Sequence, residues 1–219
     1  MKIIAVNGSP RRNGNTAELI ENALAGARNN GAETKRVDLY AMDYKGCVSC
    51  FYCKRKDRPH GVCALSDALS PLLSELKEAD AVIFGSPIYY DNITSGMAAF
   101  LERFLFSNYI YSEEIPTVFP KAIPTGFIYD MNITMEQAQR VHLESNLEKY
   151  RRSITEVLGL APEVLCVYDT WQFPDYSKYE SSIFSAEEKR RRREEHFPLD
   201  CRAAYNLGVQ LAERAPKTR

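Results

Sequence analysis

Two stretches of the chain concentrate the residue types that do chemistry. Near the start, Asn7-Gly8-Ser9-Pro10-Arg11-Arg12-Asn13-Gly14-Asn15-Thr16 mixes glycine with small polar and basic side chains. It separates a short apolar run, Lys2 to Val6, from residues with helical apolar spacing that begin at Thr16. Such a loop gathers backbone N–H groups at a helix N-terminus, where the positive end of the dipole attracts phosphate. Ser9, Asn15 and Thr16 add side-chain donors, and Arg11 or Arg12 adds charge. A capped strand-to-helix turn without a ligand uses the same residue types, so the loop alone leaves both readings open. Two nucleotide motifs are disfavoured. The P-loop needs a lysine after its second glycine, but Asn15 follows Gly14 and the glycines lie one residue too far apart. The dinucleotide fingerprint needs a third glycine for close approach to a pyrophosphate. The loop suits a single phosphate monoester.

The second stretch holds four of the six cysteines within seventeen positions: Cys47, Cys50, Cys53 and Cys63. In a reducing compartment this density points to metal or redox chemistry rather than disulfides. Cys-x2-Cys-x2-Cys spacing lets three thiolates grip one face of an iron–sulfur cluster, with Cys63 as a fourth ligand of a 4Fe–4S centre. Lys54, Arg55, Lys56 and Arg58 would place positive charge around it. A thiol loop without metal and a four-cysteine zinc site stand beside this reading. Cys166 and Cys201 read as small buried hydrophobes. His60, His142 and His196 form no ligand or triad pattern.

Alternating strands and helices must position these stretches. The strands expected after Lys2–Val6 are Thr34–Leu39, Asp80–Ser86, Lys121–Tyr129 and Glu163–Asp169. The intervening helices reach about Asn30, span Ser66 or Asp67 to Ala79, and run from a Ser95 cap to Phe106. A further one runs from the capping box at Thr134 and Gln137 to Gly159. The alternation predicts an α/β, flavodoxin-like, doubly wound sandwich with a five-stranded parallel sheet of order 2-1-3-4-5. Residues 1–170 would form the core domain and 171–219 a helical C-terminal extension packed on it. In this topology the ligand lies at the carboxyl ends of the first and third strands. There the phosphate loop meets Ser86-Pro87-Ile88-Tyr89-Tyr90-Asp91-Asn92, whose proline, apolar and aromatic residues suit a planar heterocycle. A phosphate at one loop and a ring at the other is the footprint of FMN.

A net charge of −1 gives no case for nucleic acid or an anionic membrane surface. The run Lys189-Arg190-Arg191-Arg192-Arg193, bracketed by glutamates, reads as a solvated helix face with neighbouring ion pairs. No apolar run nears the ~20 residues that span a bilayer. The chain opens directly on a strand without signal-peptide architecture, and a cytoplasmic location is the expectation.

Three motifs resemble the NADPH-dependent FMN reductase and iron–sulfur flavoprotein group. Val6 to Thr16 is similar to its N-terminal signature, Gly85-Ser86-Pro87-Ile88-Tyr89 to its second flavin loop, and Gly46-Cys47-Val48-Ser49-Cys50-Phe51-Tyr52-Cys53 to its cysteine segment. They fall in the family's order, within residues 1 to 170. The resemblance implies FMN held by the protein and NAD(P)H visiting to deliver hydride. It implies that Ser9, Arg11, Asn13, Asn15 and Thr16 hold the phosphate, with Pro87, Ile88, Tyr89 and Asn92 along the ring edge. By topology Tyr129, Asp130, Met131 and Asn132 would close the other side. Homo-oligomers, dimeric or tetrameric, are implied; for this chain the extension and the aromatic loop 107–120 are expected to shape a dimer interface over the flavin. In iron–sulfur flavoproteins the fourth cysteine follows at a shorter interval than here. The expected activity is transfer of electrons from NAD(P)H through FMN to a small acceptor: a quinone, a nitro or azo compound, free flavin or an iron centre. The alternatives are a ferredoxin-linked iron–sulfur electron carrier and a non-catalytic flavodoxin-like interaction domain.

Overall fold

The computed structural model describes residues 1–216. Its strands are β1 (Lys2–Asn7), β2 (Glu33–Asp38), β3 (Ala81–Tyr89), β4 (Asn92–Ile93), β5 (Thr125–Asp130) and β6 (Glu163–Val167). The helices are α1 (Asn15–Asn29), α2 (Leu69–Glu78), α3 (Ser95–Asn108), α4 (Met135–Arg140), α5 (Leu143–Leu158), α6 (Ala186–Glu195) and α7 (Phe197–Arg214). The parallel strands lie in the order β2-β1-β3-β5-β6, and β4 pairs antiparallel with the end of β3. This is the flavodoxin-like sheet expected from the alternation.

Period-two alternation divides the core into two layers. Ile4, Val6, Val82, Phe84, Phe127 and Tyr129 face one side, under α2, α3 and α5. Ile3, Ala5, Ala81, Ile83, Ile128 and Val167 face the other, under α1 and α7. The latter two helices touch backbone to backbone. A Cβ on Gly208 would lie 1.7 Å from the Ala23 carbonyl oxygen, and one on Gly26 would lie 2.1 Å from that of Tyr205. α7 therefore completes the layer that α1 begins.

The register aligns the carboxyl ends of the strands. Asn7 pairs with Gly85, Pro87 with Asp130, and Asp130 with Val167. Several boundaries differ from expectation for identifiable reasons. β3 continues to Tyr89 and turns back through Tyr90 and Asp91, at φ 49° and 57°, into β4. Both turn positions are left-handed, as a two-residue type I′ hairpin requires, but the sequence lacks the usual Asn-Gly signal. Thr94 rather than Ser95 caps α3, accepting from the Met97 N–H at 3.2 Å. β5 starts at Thr125, past Pro120 and Pro124, which have no N–H for a ladder. The capping box at Thr134 and Gln137 is present, but the helix breaks at His142, φ 52°, into α4 and α5. α7 starts at Phe197 rather than Asp200, with Pro198 in its first turn. No described helix is long and apolar enough to cross a membrane.

Candidate functional site

The loop after β1 is ordered mainly by its own side chains. Asn7 Oδ1 accepts from the Ser9 N–H at 3.0 Å, and Ser9 Oγ accepts from the Arg11 N–H at 3.1 Å. The Gly8 N–H donates to the Gly85 carbonyl at 2.7 Å, and Thr94 Oγ1 donates to the Gly8 carbonyl at 2.6 Å. A Cβ on Gly8 would fall 2.7 Å from the Met97 Cβ, so glycine allows the loop to lie against α3. Gly14 precedes α1 and offers no side-chain cap. The first N–H groups of a fifteen-residue helix are thus left to bind an anion.

This helix start opens into a cleft of about 770 Å³, within the ~300–1,000 Å³ usual for small-molecule sites. Ser9, Arg11, Asn13, Asn15 and Thr16 line one end, and Pro87, Ile88 and Tyr89 line a wall. Asp130, Met131 and Asn132 form the floor at the end of β5. The structure therefore gathers both loops and the segment after β5 in one place. Two expected residues lie elsewhere. Asn92 Oδ1 caps the Ile93 N–H at 2.9 Å and accepts from Tyr150 Oη at 2.7 Å. Tyr129 points into the core, stacked on Phe127 with ring centroids 4.1 Å apart. Alternation explains this, because Tyr129 and Asp130 occupy opposite faces of β5.

The far wall comes from the C-terminal segment, expected over the flavin at a subunit interface but here lining the cleft of its own chain. Trp171, Gln172, Phe173 and Tyr179 line it. Asn15 Nδ2 donates to the Trp171 carbonyl at 2.9 Å, and Arg11 donates to that of Gln172. Phe173 stacks on Tyr179 at 4.2 Å, and Trp171 meets Tyr176 edge-on at 4.9 Å. The basic helix helps to hold this wall. Arg190 bridges Glu187 and Glu194 on the solvent side, as a solvated face would. Lys189, by contrast, is buried, donating to Asp169 and to the Asn132 carbonyl. Arg193 reaches Glu18 at 2.6 Å and Asn15 Oδ1 at 3.4 Å, and it lines the cleft. An amphipathic signal that could have separated inward from outward cations is missing from this uniformly charged helix.

Asp130 is the one buried carboxyl in the cleft lining. Burial pushes its pKa up to about 6, against the Thr16 hydroxyl that hydrogen-bonds to it and the positive charge of Arg11.

Cys47, Cys50, Cys53 and Cys63 line one small apolar pocket between the 46–64 loop and α3. All are free thiols. Four thiols without competing donors are a suitable set in kind for an iron–sulfur cluster or zinc. Their arrangement is not a closed cage, since among the described residues no three metal-ligating side chains converge on one point. Of the neighbouring cations, Lys54 lies beside Cys53, whose thiol shares the Phe106 carbonyl with it, while Arg55 turns outward. Lys54 donates to the Phe106 and Tyr109 carbonyls at the end of α3, and Arg55 pairs with Asp57 at 2.7 Å.

Residues 1–114 match the family described as NADPH-dependent FMN reductase, and the chain belongs to that family. The matched stretch carries the phosphate loop, the cysteine segment and the Pro87–Tyr89 wall; β5, β6 and the C-terminal wall lie outside it. An iron–sulfur flavoprotein of Methanocaldococcus jannaschii is 34% identical over 103 residues, 47% of this chain and 51% of the relative. One of Archaeoglobus fulgidus is 35% identical over 105 residues, 48% of this chain and 46% of the relative. The chain thus spans about half the length of the curated relatives it matches. Among solved structures, an azoreductase from Bacillus anthracis superposes with TM-score 0.67 at 14% identity, covering 96% of this chain and 99% of that one. The NAD(P)H:quinone oxidoreductase from Methanothermobacter marburgensis gives 0.65 at 15%, with 96% of each chain covered. At these identities the likeness is one of fold.

Proposed function

We propose that this chain binds FMN in the cleft and acts as an NAD(P)H-dependent oxidoreductase, passing electrons to a small planar acceptor such as a quinone, a nitro or azo compound or a free flavin. The observation that carries this reading is one cleft joining an uncapped α1 N-terminus to a slot with an apolar and aromatic lining. The donor set fits the cofactor. The α1 N–H groups, Arg11 and Asn15 suit a phosphate, and Pro87, Ile88, Tyr89, Trp171 and Phe173 suit a flat ring system. When bound, FMN supplies the hydride chemistry, and the protein supplies binding, orientation and exclusion of water. The protein's residues then have limited tasks. Asn15 and Arg11 hold both the phosphate end and the C-terminal wall, coupling cofactor retention to closure of the slot. The half-exposed Tyr89 and the fully exposed Tyr90 at the rim suit cover by a second copy of the chain, as a homodimer or homotetramer.

A second reading, an iron–sulfur flavoprotein exchanging electrons with a ferredoxin, is favoured by the four cysteines on one pocket. The visible spectrum of anaerobically purified protein, before and after NADPH, separates the two. A flavin double band that bleaches with NADPH supports the reductase. Broad additional absorbance with iron and sulfide supports the cluster. Colourless protein that takes up no added FMN would sink both and leave the interaction-domain reading.

A further inference from the structure

The neck of the cysteine loop is closed by one buried side chain. Arg103, on α3, is 1% exposed, the largest fully buried side chain of the described residues. Its guanidinium donates to the Lys45 carbonyl at 3.2 Å, just before the cysteines, and to the Leu65 carbonyl at 3.2 Å, just after them. It also pairs with Asp67 at 2.5 Å. Asp67 in turn accepts from the Lys45 N–H at 3.4 Å and from the Leu69 N–H at the start of α2. The Lys45 peptide is therefore gripped from both sides, its carbonyl by Arg103 and its N–H by Asp67. A guanidinium can satisfy this set because its donors form a rigid planar fork; an ammonium cannot span it.

The same side chain faces the thiols. Arg103 lines the pocket with Cys47, Cys50, Cys53 and Cys63. Its buried Nε–H has no hydrogen-bond partner among the described residues. Leaving a buried donor unmatched is costly, so an acceptor within the pocket would relieve it.

We propose that Arg103 is the positioning residue of the cysteine loop: it clamps residues 45 and 65 together and keeps one N–H for a sulfur held in the pocket. The clamp stands on the hydrogen bonds above. The sulfur half rests on the cluster reading, in which N–H donation to cluster sulfur, together with the buried positive charge, raises the reduction potential.

Two measurements test the halves separately. The first is amide hydrogen exchange on the metal-free full chain, comparing wild type with Arg103→Lys and Asp67→Asn. Exchange across 46–64 should rise at least tenfold in both variants while β1 and β3 stay protected. Unchanged loop protection in both would overturn the clamp. The second is reconstitution of the full chain with iron and sulfide, then redox titration of wild type and Arg103→Gln. The variant should titrate at lower potential, while Lys56→Gln, at an exposed lysine of the same loop, should leave the value closer to wild type. Equal potentials in wild type and Arg103→Gln would overturn the sulfur half. Wild-type chain that takes up no iron would overturn that half and the cluster reading together, with the exchange result still deciding the clamp.

Discussion

The cleft and the cysteine pocket lie in one chain but are built by opposite means. The cleft is framed by regular structure: strand ends in fixed register, a helix start, and a loop whose short side chains order it locally. The cysteine pocket hangs on an irregular loop and is held by long side chains reaching in from elsewhere, Arg103 at its neck and Lys54 against the end of α3. The first kind of site is preorganised by the backbone ladder. The second is only as ordered as a few charge-assisted hydrogen bonds make it, which places it among the less stable parts of a fold. Chemistry assigned to the pocket therefore needs its tertiary clamps tested, whereas chemistry assigned to the cleft can be probed residue by residue.

Four variants break or sharpen this contrast, starting with the largest expected effect. Asp130→Asn acts on the stability of the cleft itself. The folded-state pKa of about 6 lies above the ordinary aspartate value. The folded protein thus holds a proton that the unfolded chain has released, and stability falls as pH rises from about 4 to about 6. Above pH 6 the cost is about 3 kcal/mol. The asparagine variant should be more stable than wild type at pH 7–8 and should lose that slope, as urea unfolding between pH 4 and 8 would read. A parallel slope in both proteins would refute the assignment. Retention of FMN should follow the same sign, weakening in wild type above pH 6 as the Asp130 carboxylate opposes the phosphate.

Next, the double variant Asn15→Ala and Thr16→Ala removes the bonds by which the α1 start holds the Trp171 carbonyl and the Asp130 carboxyl. FMN retention, followed by dialysis and fluorescence, should weaken tenfold or more, in line with about 1 kcal/mol per lost hydrogen bond. Retention equal to wild type would remove the phosphate role of this helix start. Trp171→Ala takes away part of the C-terminal wall. It should weaken FMN a few-fold, since an aromatic contact contributes about 0.5–1.5 kcal/mol beyond its buried area. The smallest effect on flavin is expected from Cys50→Ser, which should lower the iron content of reconstituted protein and leave FMN retention unchanged. A loss of flavin in that variant would show that the two sites are one unit.

The regular part of this design was legible in the sequence because short-range chemistry encodes it. An apolar run, a Gly-Ser-Asn loop and an amphipathic helix announce the β1–α1 turn whatever surrounds them. The strand order and the meeting of the phosphate loop with Pro87-Ile88-Tyr89 follow from the alternation of strands and helices together with the topology of doubly wound sheets. Face-by-face detail was less accessible. Tyr129 and Asp130 fall on opposite faces of the pleat, and Asn92 belongs to a hairpin whose Tyr-Asp turn lacks the usual glycine.

The sequence by itself determined the α/β fold class, the location of the phosphate loop and the presence of a cysteine-rich loop, because periodicity, turn chemistry and residue spacing are local properties. Only the tertiary structure decided which far side chains complete each site. Trp171 and Arg193 lie more than 150 positions from Asn15, yet both bond to it. Arg103 closes a loop whose ends, Lys45 and Leu65, lie about forty to sixty positions before it. Such long-range pairings arise from helix packing and strand register, and a one-dimensional pattern of charges holds no record of which cations turn inward.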